Sequence, residues 1–298
     1  MPGQEPKRGG VVLKRRRLLI TGLMCGIALL LSGCKFVLLD PKGMIAADEK
    51  RIMLTSILLM LIVVLPVIFL AFAIAWRYRE SNKHATYAPE WSHNLLLEII
   101  WWSIPCAIIA TLATITWISS HRLDPYKPLA VKGEPLEIDV IALRWKWLFI
   151  YPKQTIATVN FIQFPVNVPV RFMITAEGPM NSFQIPQLGG QIYAMAGMQT
   201  KLHLIANAVG DYDGISANFS GDGFSDMKFI ARVTTKAQFD QWVKTVKQSK
   251  ATLTSDAYNQ LVVPSIKHPQ QSFSAVNKTI FETVVMKTMM PMTEGNIK

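Results

Sequence analysis

The residues that could bind a soft metal are few, and most of them lie early in the chain. There are three cysteines, Cys25, Cys34 and Cys106, and five histidines, of which only His203 falls in a predicted strand of the later part of the chain. Zinc and copper sites need several thiolate or imidazole ligands held together. The later part therefore has too few ligands for such a site, and three cysteines cannot build a disulfide framework. We interpret His203 as a surface residue, because it alternates with two leucines and so faces away from them.

Cys34 has the surroundings of a lipidation site. Basic residues 14–17 precede an apolar run over residues 18–31, which is too short to span a bilayer, since spanning takes roughly 20 apolar residues. This layout is typical of a secretory signal. The run ends in Leu-Ser-Gly-Cys, which resembles the lipobox of bacterial lipoproteins, where cleavage precedes a cysteine whose sulfur carries a diacylglycerol. We predict a signal peptide at residues 1–33 and a lipoprotein anchor, with acyl chains such as palmitate, at Cys34.

Glu98 is the one charged residue within a long apolar run over residues 95–118. A carboxylate inside a membrane segment is costly, and such residues are functional candidates by default. A carboxylate near the end of the run can instead reach water as an ordinary interfacial residue. On physical grounds alone both interpretations stand.

Two apolar runs, residues 52–76 and 95–118, are long enough to cross a membrane as helices. Basic residues lie on both sides of the first run, so their count does not set the orientation. The signal peptide does set it, because Cys34 is processed outside the cytoplasm. Residues 34–51 are then periplasmic, the loop at 77–94 is cytoplasmic, and the rest of the chain is periplasmic. The sequence predicts a protein of the bacterial inner membrane.

The overall charge belongs in large part to the signal segment. The chain has 298 residues and a net charge of +11, with 50% hydrophobic and 17% charged residues, which excludes a disordered chain and is unusual for a soluble domain. Residues 1–33 hold six basic residues and one acidic residue, a net of +5, so a processed chain keeps +6. Since nearly half of the basicity lies in a targeting segment, we expect no nucleic-acid partner.

The chain after the second run changes character. Apolar and polar residues alternate in short runs between turn residues, which predicts many half-buried strands over residues 119–235 and hence a two-sheet sandwich or barrel. Residues 236–298 begin with a helical pattern, because Phe239, Trp242, Val243 and Val246 recur at spacings of three and four. We expect a helical C-terminal region and tail there.

Four motifs connect this layout to a known family. They are the helix start at residues 98–105 (EIIWWSIP), the aromatic-rich strand at 144–147 (RWKW), residues 181–189 (NSFQIPQLG) and residues 210–214 (GDYDG). With a two-helix hairpin before a β-domain, the chain resembles subunit II of the haem-copper terminal oxidases. The resemblance implies a cupredoxin-like Greek-key β-sandwich for residues 119–235.

In the cytochrome c oxidases of this family, the β-domain holds a dinuclear copper centre with two Cys, two His, a Met and a backbone carbonyl as ligands. The resemblance places this chain's counterparts of those ligands at Asn181, Ser216, Asn218, Ser220, Phe224 and Met227. Only Met227 keeps the ligand type. Serine is a far poorer soft ligand than a thiolate, and phenylalanine cannot coordinate a metal. We therefore expect no metal and no other cofactor in this chain.

Keeping the scaffold without its copper is the pattern of quinol oxidases. Residues 38–43, 191–199 and 212–216 look especially like the bo-type ubiquinol oxidases, although either ubiquinol or menaquinol fits the sequence. The resemblance implies a proton-translocating quinol oxidase of the aerobic respiratory chain, with haems and remaining copper in subunit I. The implied partners are subunit I, further small membrane subunits and membrane lipid, without a docked cytochrome c. Glu98 matches a family position at the mouth of a proton-uptake channel.

One alternative from another class remains open at this point. A stand-alone, membrane-anchored lipoprotein with a cupredoxin-like binding domain would have the same anchor, hairpin and sandwich. It would purify alone, whereas an oxidase subunit would purify with larger haem-containing partners.

Overall fold

Two long helices precede a β-domain and a C-terminal extension. The computed structural model describes residues 36–289, apart from residues 87, 132 and 278. A short 3-10 turn, Val37–Leu39, belongs to a separate unit from the chain that starts at Asp40. Helix α1 then spans Met44–Arg77 and helix α2 spans Leu95–Arg122.

Both helices are long and apolar enough to cross a membrane. At 1.5 Å per residue, the 34 residues of α1 extend about 50 Å, whereas the hydrocarbon core of a bilayer is about 30 Å thick. The helix begins eight residues before the apolar run that starts at Ile52, so its first two turns lie outside that run. Helix α2 likewise continues four residues past residue 118.

The β-domain consists of two sheets that face each other. One sheet has the strand order β11-β3-β2-β1-β5-β8 and the other has the order β4-β10-β9-β6-β7. Most neighbours are antiparallel, but β1 pairs with β5 and β4 pairs with β10 in parallel. The strands are β1 Leu136–Leu143, β2 Lys146–Tyr151, β3 Ile156–Val159, β4 Phe161–Pro165, β5 Val170–Ala176, β6 Asn181–Gln184, β7 Ile192–Ala194, β8 Thr200–Leu204, β9 Gly210–Ser216, β10 Lys228–Thr234 and β11 Gln271–Phe273.

Alternation along the strands fills the space between the sheets. In β1, every second side chain from Leu136 to Ala142 points into this inner core, as a period of two requires. Aromatic rings dominate its centre: Phe183 and Phe229 stack with ring centroids 5.1 Å apart, and Trp147 packs edge-on against both. The sandwich is thus held by apolar packing without any disulfide among the described residues.

A second core lies on the outer face of the first sheet. Ile141 and Leu143, which point away from the inner core, are covered by the C-terminal extension. In its described part, the extension contains three helices, α3 Lys236–Lys247, α4 Ser255–Val262 and α5 Ile280–Met289, as the helical pattern partly predicted. It also adds the edge strand β11, which pairs with β3. The sequence did not predict this strand, because three residues carry too little alternation to be recognised before they dock.

The start of α1 is fixed to the β-domain by backbone contacts. Gly43 forms an isolated bridge with Ala206, and the amide of Ala46 donates to the carbonyl oxygen of Leu188 at 3.2 Å. A Cβ at residue 43 would lie 2.5 Å from that same oxygen, so only glycine fits there. The start of α1 is therefore continuous with the sandwich.

Candidate functional site

The first candidate site lies at the start of α2. Asn94 caps the helix, because its side-chain oxygen accepts from the amide of Leu97 at 3.1 Å. This cap sets where the helix starts and so places Glu98 in the first turn, with 29% of its side chain exposed. The Glu98 carboxylate contacts the imidazole Nδ1 of His93, which is itself 73% exposed. The imidazole and the carboxylate thus connect the exposed loop with the first turn of α2.

His93 is a residue that the sequence did not assign to the site. It stands five residues before Glu98, which is not a spacing that brings side chains together on a helix. The contact forms because His93 precedes the cap in extended chain and folds back over the first turn. A histidine just before an N-cap asparagine and a first-turn glutamate is the signal that could have revealed the pair.

The second candidate site is the end of the sandwich that holds the counterparts of the family's copper ligands. Asn181 begins β6 and Ser216 ends β9, and both are buried, with 1% and 6% of their surfaces exposed. The Ser216 hydroxyl lies 3.0 Å from the Asn181 side-chain oxygen and 3.3 Å from the carbonyl oxygen of Asn218. The Asn218 amide in turn donates to the carbonyl oxygen of Met180 at 3.0 Å. The structure thus joins three of the predicted positions in one hydrogen-bonded group.

The remaining positions lie in the loop that follows. Met227 is buried at its end, where its carbonyl oxygen accepts from the Ser216 amide at 3.2 Å. Phe224 packs edge-on against Phe219, which is 75% exposed. The hydroxyl of Ser220 is buried and has no hydrogen-bond partner in the described structure.

The Trp145 side chain packs against this loop and holds it in position. Its indole nitrogen donates to the carbonyl oxygen of Ser220 at 3.0 Å. A Cβ at Gly223 would lie 2.5 Å from the indole ring, so the loop can approach Trp145 this closely only with glycine there. Trp145, in the turn between β1 and β2, therefore positions the loop.

This group of residues does not fit a dinuclear copper centre. Its polar atoms are amide and hydroxyl oxygens and amide nitrogens, whereas copper in such a centre needs thiolates and imidazoles. Instead, the Ser216 hydroxyl lies within hydrogen-bond distance of the Asn181 side-chain oxygen and the Asn218 carbonyl oxygen, and the side-chain amides of Asn181 and Asn218 donate to the carbonyl oxygens of Pro179 and Met180. Among the described residues, no group of three or more His, Cys, Asp or Glu side chains could hold a metal ion.

His203 is buried, so its interpretation as a surface residue was wrong. The side chain does face away from its leucine neighbours, but only 7% of the residue is exposed. Its Nδ1 lies 3.0 Å from the carbonyl oxygen of Pro125. The chain that leaves α2 folds over this face of the sheet, which no local pattern in the strand could reveal.

The Arg144–Trp147 motif also holds the C-terminal extension. The ammonium of Lys146, a residue that is only 1% exposed, donates to the carbonyl oxygens of Leu261 and Val263 at 2.8 Å each. Burial lowers the pKa of this lysine. The two carbonyls lie at the end of α4, where helical carbonyls lack partners of their own. Lys146 therefore joins the sheet to the extension.

Comparison with known families defines the class of this fold and site. Residues 133–236 match the family model of the cytochrome c oxidase subunit II periplasmic domain, and residues 247–292 match the COX aromatic-rich motif. The sandwich is therefore the cupredoxin-like domain that the sequence predicted, and the extension is a second recognised element of the same class. The periplasmic domain of cytochrome oxidase subunit II from Bradyrhizobium japonicum is 23% identical over 39% of this chain and 95% of its own, with a TM-score of 0.37.

Two curated relatives narrow the class. The cytochrome bo(3) ubiquinol oxidase subunit 2 of Pseudomonas putida is 54% identical over 87% of this chain and 82% of its own. The ubiquinol oxidase subunit 2 of Acetobacter aceti is 50% identical over 87% and 85%. The chain belongs to the quinol oxidase subunit 2 family of the haem-copper oxidases, a family of oxidoreductase subunits. The alternative of a stand-alone binding lipoprotein is not favoured.

Proposed function

We propose that this chain is the copper-free subunit II of a proton-translocating ubiquinol oxidase, in which electrons enter from quinol and bypass the sandwich. The hydrogen-bonded group of Asn181, Ser216 and Asn218 supports this proposal, because it offers no thiolate or imidazole where the resemblance puts copper ligands. Haems and copper would then belong to subunit I. The sandwich would act as a periplasmic cap without a docked cytochrome c.

The electron route is tested on the complex that purifies with this chain in mild detergent. We expect quinol-driven oxygen uptake, larger haem-containing subunits, and no near-infrared absorbance of a mixed-valence copper pair. That absorbance, or purification of the chain without partners, would refute the proposal.

We further propose that Glu98 takes up protons from the cytoplasm for subunit I. A carboxylate at the membrane end of α2 can collect and release protons, and the His93 contact gives it a neighbour with an imidazole nitrogen that reaches the loop water. His93 acts through Glu98 in this scheme and is a positioning residue.

The Glu98→Gln variant tests this role, with His93→Gln beside it. Glu98→Gln should lower quinol-driven oxygen uptake by roughly a hundredfold or more, because an acid–base group typically contributes about 10²- to 10⁴-fold. His93→Gln should change the pH dependence of turnover more than its maximum. His84, which is exposed in the same loop, provides the control variant His84→Gln. Normal turnover of an assembled Glu98→Gln complex would contradict the role.

We also propose that the chain is a processed lipoprotein anchored at Cys34 in the inner membrane. Residues 1–35 lie outside the described residues, so this proposal is supported by the sequence pattern alone. The mature chain should start at Cys34 and carry acyl chains, and Cys34→Ala should abolish both, as intact-mass measurement would show. An unmodified Cys34 in the wild-type chain would refute the anchor. Further small membrane subunits are the remaining partners that we propose.

A further inference from the structure

Two arginines converge on one carboxylate where α1 and α2 approach the β-domain. Arg122 Nη2 lies 2.9 Å from Oδ2 of Asp48, and Arg51 Nη2 lies 3.5 Å from Oδ1 of the same group. Asp48 is 15% exposed, whereas the arginine side chains are 65% and 73% exposed. The three groups carry a net charge of +1. Each guanidinium has five N–H donors, so most of them still point to the surroundings.

The arginines stand at the boundary of the membrane-spanning part. Arg51 directly precedes the apolar run of α1, and Arg122 is the last residue of α2. By the predicted topology this is the periplasmic end of both helices. Basic side chains at that depth extend to the lipid headgroups, and guanidinium groups donate strong, paired hydrogen bonds to phosphate oxygens.

A groove continues from the arginines down between the two helices. It has a volume of about 220 Å³, with apolar walls that include Ile52 and Ile115 and hydroxyls from Thr55 and Ser119. Asp48 and Arg122 also line a second hollow of about 360 Å³ between α1 and the β-domain. The site therefore has a cationic rim next to an apolar groove. Such a site is complementary to an amphiphile with an anionic head group and an apolar chain.

We propose that this groove binds a glycerophospholipid of the outer leaflet, with its phosphate on Arg51 and Arg122 and an acyl chain along Ile52 and Ile115. Two guanidinium groups on either side of one carboxylate attract a phosphate, and their planar donors match its oxygens. The arginines can contact either phosphate, but only a lipid also has an acyl chain that contacts the apolar walls, so the groove favours a lipid over free phosphate.

The experiment measures phospholipid that stays with the full-length chain. The chain is extracted in mild detergent together with any accompanying subunits, exchanged into lipid-free detergent, and assayed for phosphorus and intact lipid per chain. The double variant R51Q/R122Q removes the rim charges. Ile115→Trp fills the groove without a charge change, so it displaces a lipid but not a phosphate bound only to the arginines. K236Q/K247Q removes two charges from α3 as a control.

Both R51Q/R122Q and Ile115→Trp should lose about one phospholipid per chain, and K236Q/K247Q should retain it. A photo-cross-linking residue at position 115 should give a lipid adduct. Equal phospholipid retention in R51Q/R122Q, Ile115→Trp and the wild-type chain would overturn the proposal. A loss confined to R51Q/R122Q would overturn the acyl-chain position, and a cross-link from position 115 to a protein would show that a partner subunit fills the groove instead.

Discussion

Asp139 is an unfavourable carboxylate beneath the C-terminal extension, and its removal should stabilise the protein. It stands on β1 on the same outward-facing side as Ile141 and Leu143, which are buried under the extension. Burial first, and then the charge of Glu282 on α5, raise the pKa of Asp139 from 3.8 to about 7. Above pH 7 the Asp139 carboxylate is therefore charged in a largely buried place in the folded protein, whereas in the unfolded chain water solvates the same charge.

The sign and size of the effect follow from linkage. A folded pKa above the unfolded value means that the native state binds more protons between pH 4 and pH 7, so stability falls as pH rises through that window. At 1.36 kcal/mol per pH unit, the full cost above pH 7 is about 4 kcal/mol, of which about 1.5 kcal/mol is already present at pH 5. Asp139→Asn removes the charge, so it should gain about 2.5 kcal/mol more over the wild-type chain at pH 8 than at pH 5.

Urea unfolding of the detergent-solubilised chain, followed by near-ultraviolet circular dichroism at the two pH values, measures this difference. Asp211 provides the control, because its hydrogen bonds to Arg232 at 2.7 Å lower its pKa. Asp211→Asn should destabilise the protein about equally at pH 5 and pH 8, since the benefit of that carboxylate is lost only as pH falls through its lowered pKa. If the gain from Asp139→Asn is the same at both pH values, the carboxyl is not buried as described and the reasoning fails.

Three further predictions concern single contacts. Lys146→Ala leaves the carbonyl oxygens of Leu261, which is buried, and Val263, which is partly exposed, without this donor, so it should lower the free energy of unfolding by about 2 kcal/mol in the same urea assay. Gly214→Ala places a Cβ 2.0 Å from the ring of Phe229 and should cost about 3 kcal/mol, because the aromatic core cannot shift as a unit. Gly43→Ala directs a Cβ at the carbonyl oxygen of Leu188, so limited proteolysis should cut the segment before α1 faster than in the wild-type chain. Unchanged unfolding or cleavage would contradict the corresponding contact.

Much of the architecture could be predicted from local patterns. Two long apolar runs that together contain a single charge indicate membrane helices because burying a charge in lipid is costly, and period-two alternation indicates strands that bury one face. These rules need no knowledge of which elements are neighbours. The ligand positions Asn181 and Ser216 could likewise be assessed from residue type alone, because neither side chain can replace a thiolate or an imidazole.

Other features depend on contacts between distant parts of the chain. His203 looked exposed from its strand, and it is buried because Pro125 and its neighbours cross that face. His93 meets Glu98 only because the chain folds back over the helix cap. The edge strand β11 exists because β3 offers free backbone groups to a segment that has little strand pattern of its own.

The sequence by itself determined the class of this protein: two membrane helices, a β-domain and a set of residues unsuited to copper. Those features follow from side-chain chemistry and from periodicity, which act within one segment. Only the tertiary structure decided that Asp48 forms ion pairs with both Arg51 and Arg122, and that Lys146 lies buried under the C-terminal extension. The partners of these charged side chains lie up to 117 residues away along the chain. The free energy of each charged group also depends on its burial, which no local pattern specifies.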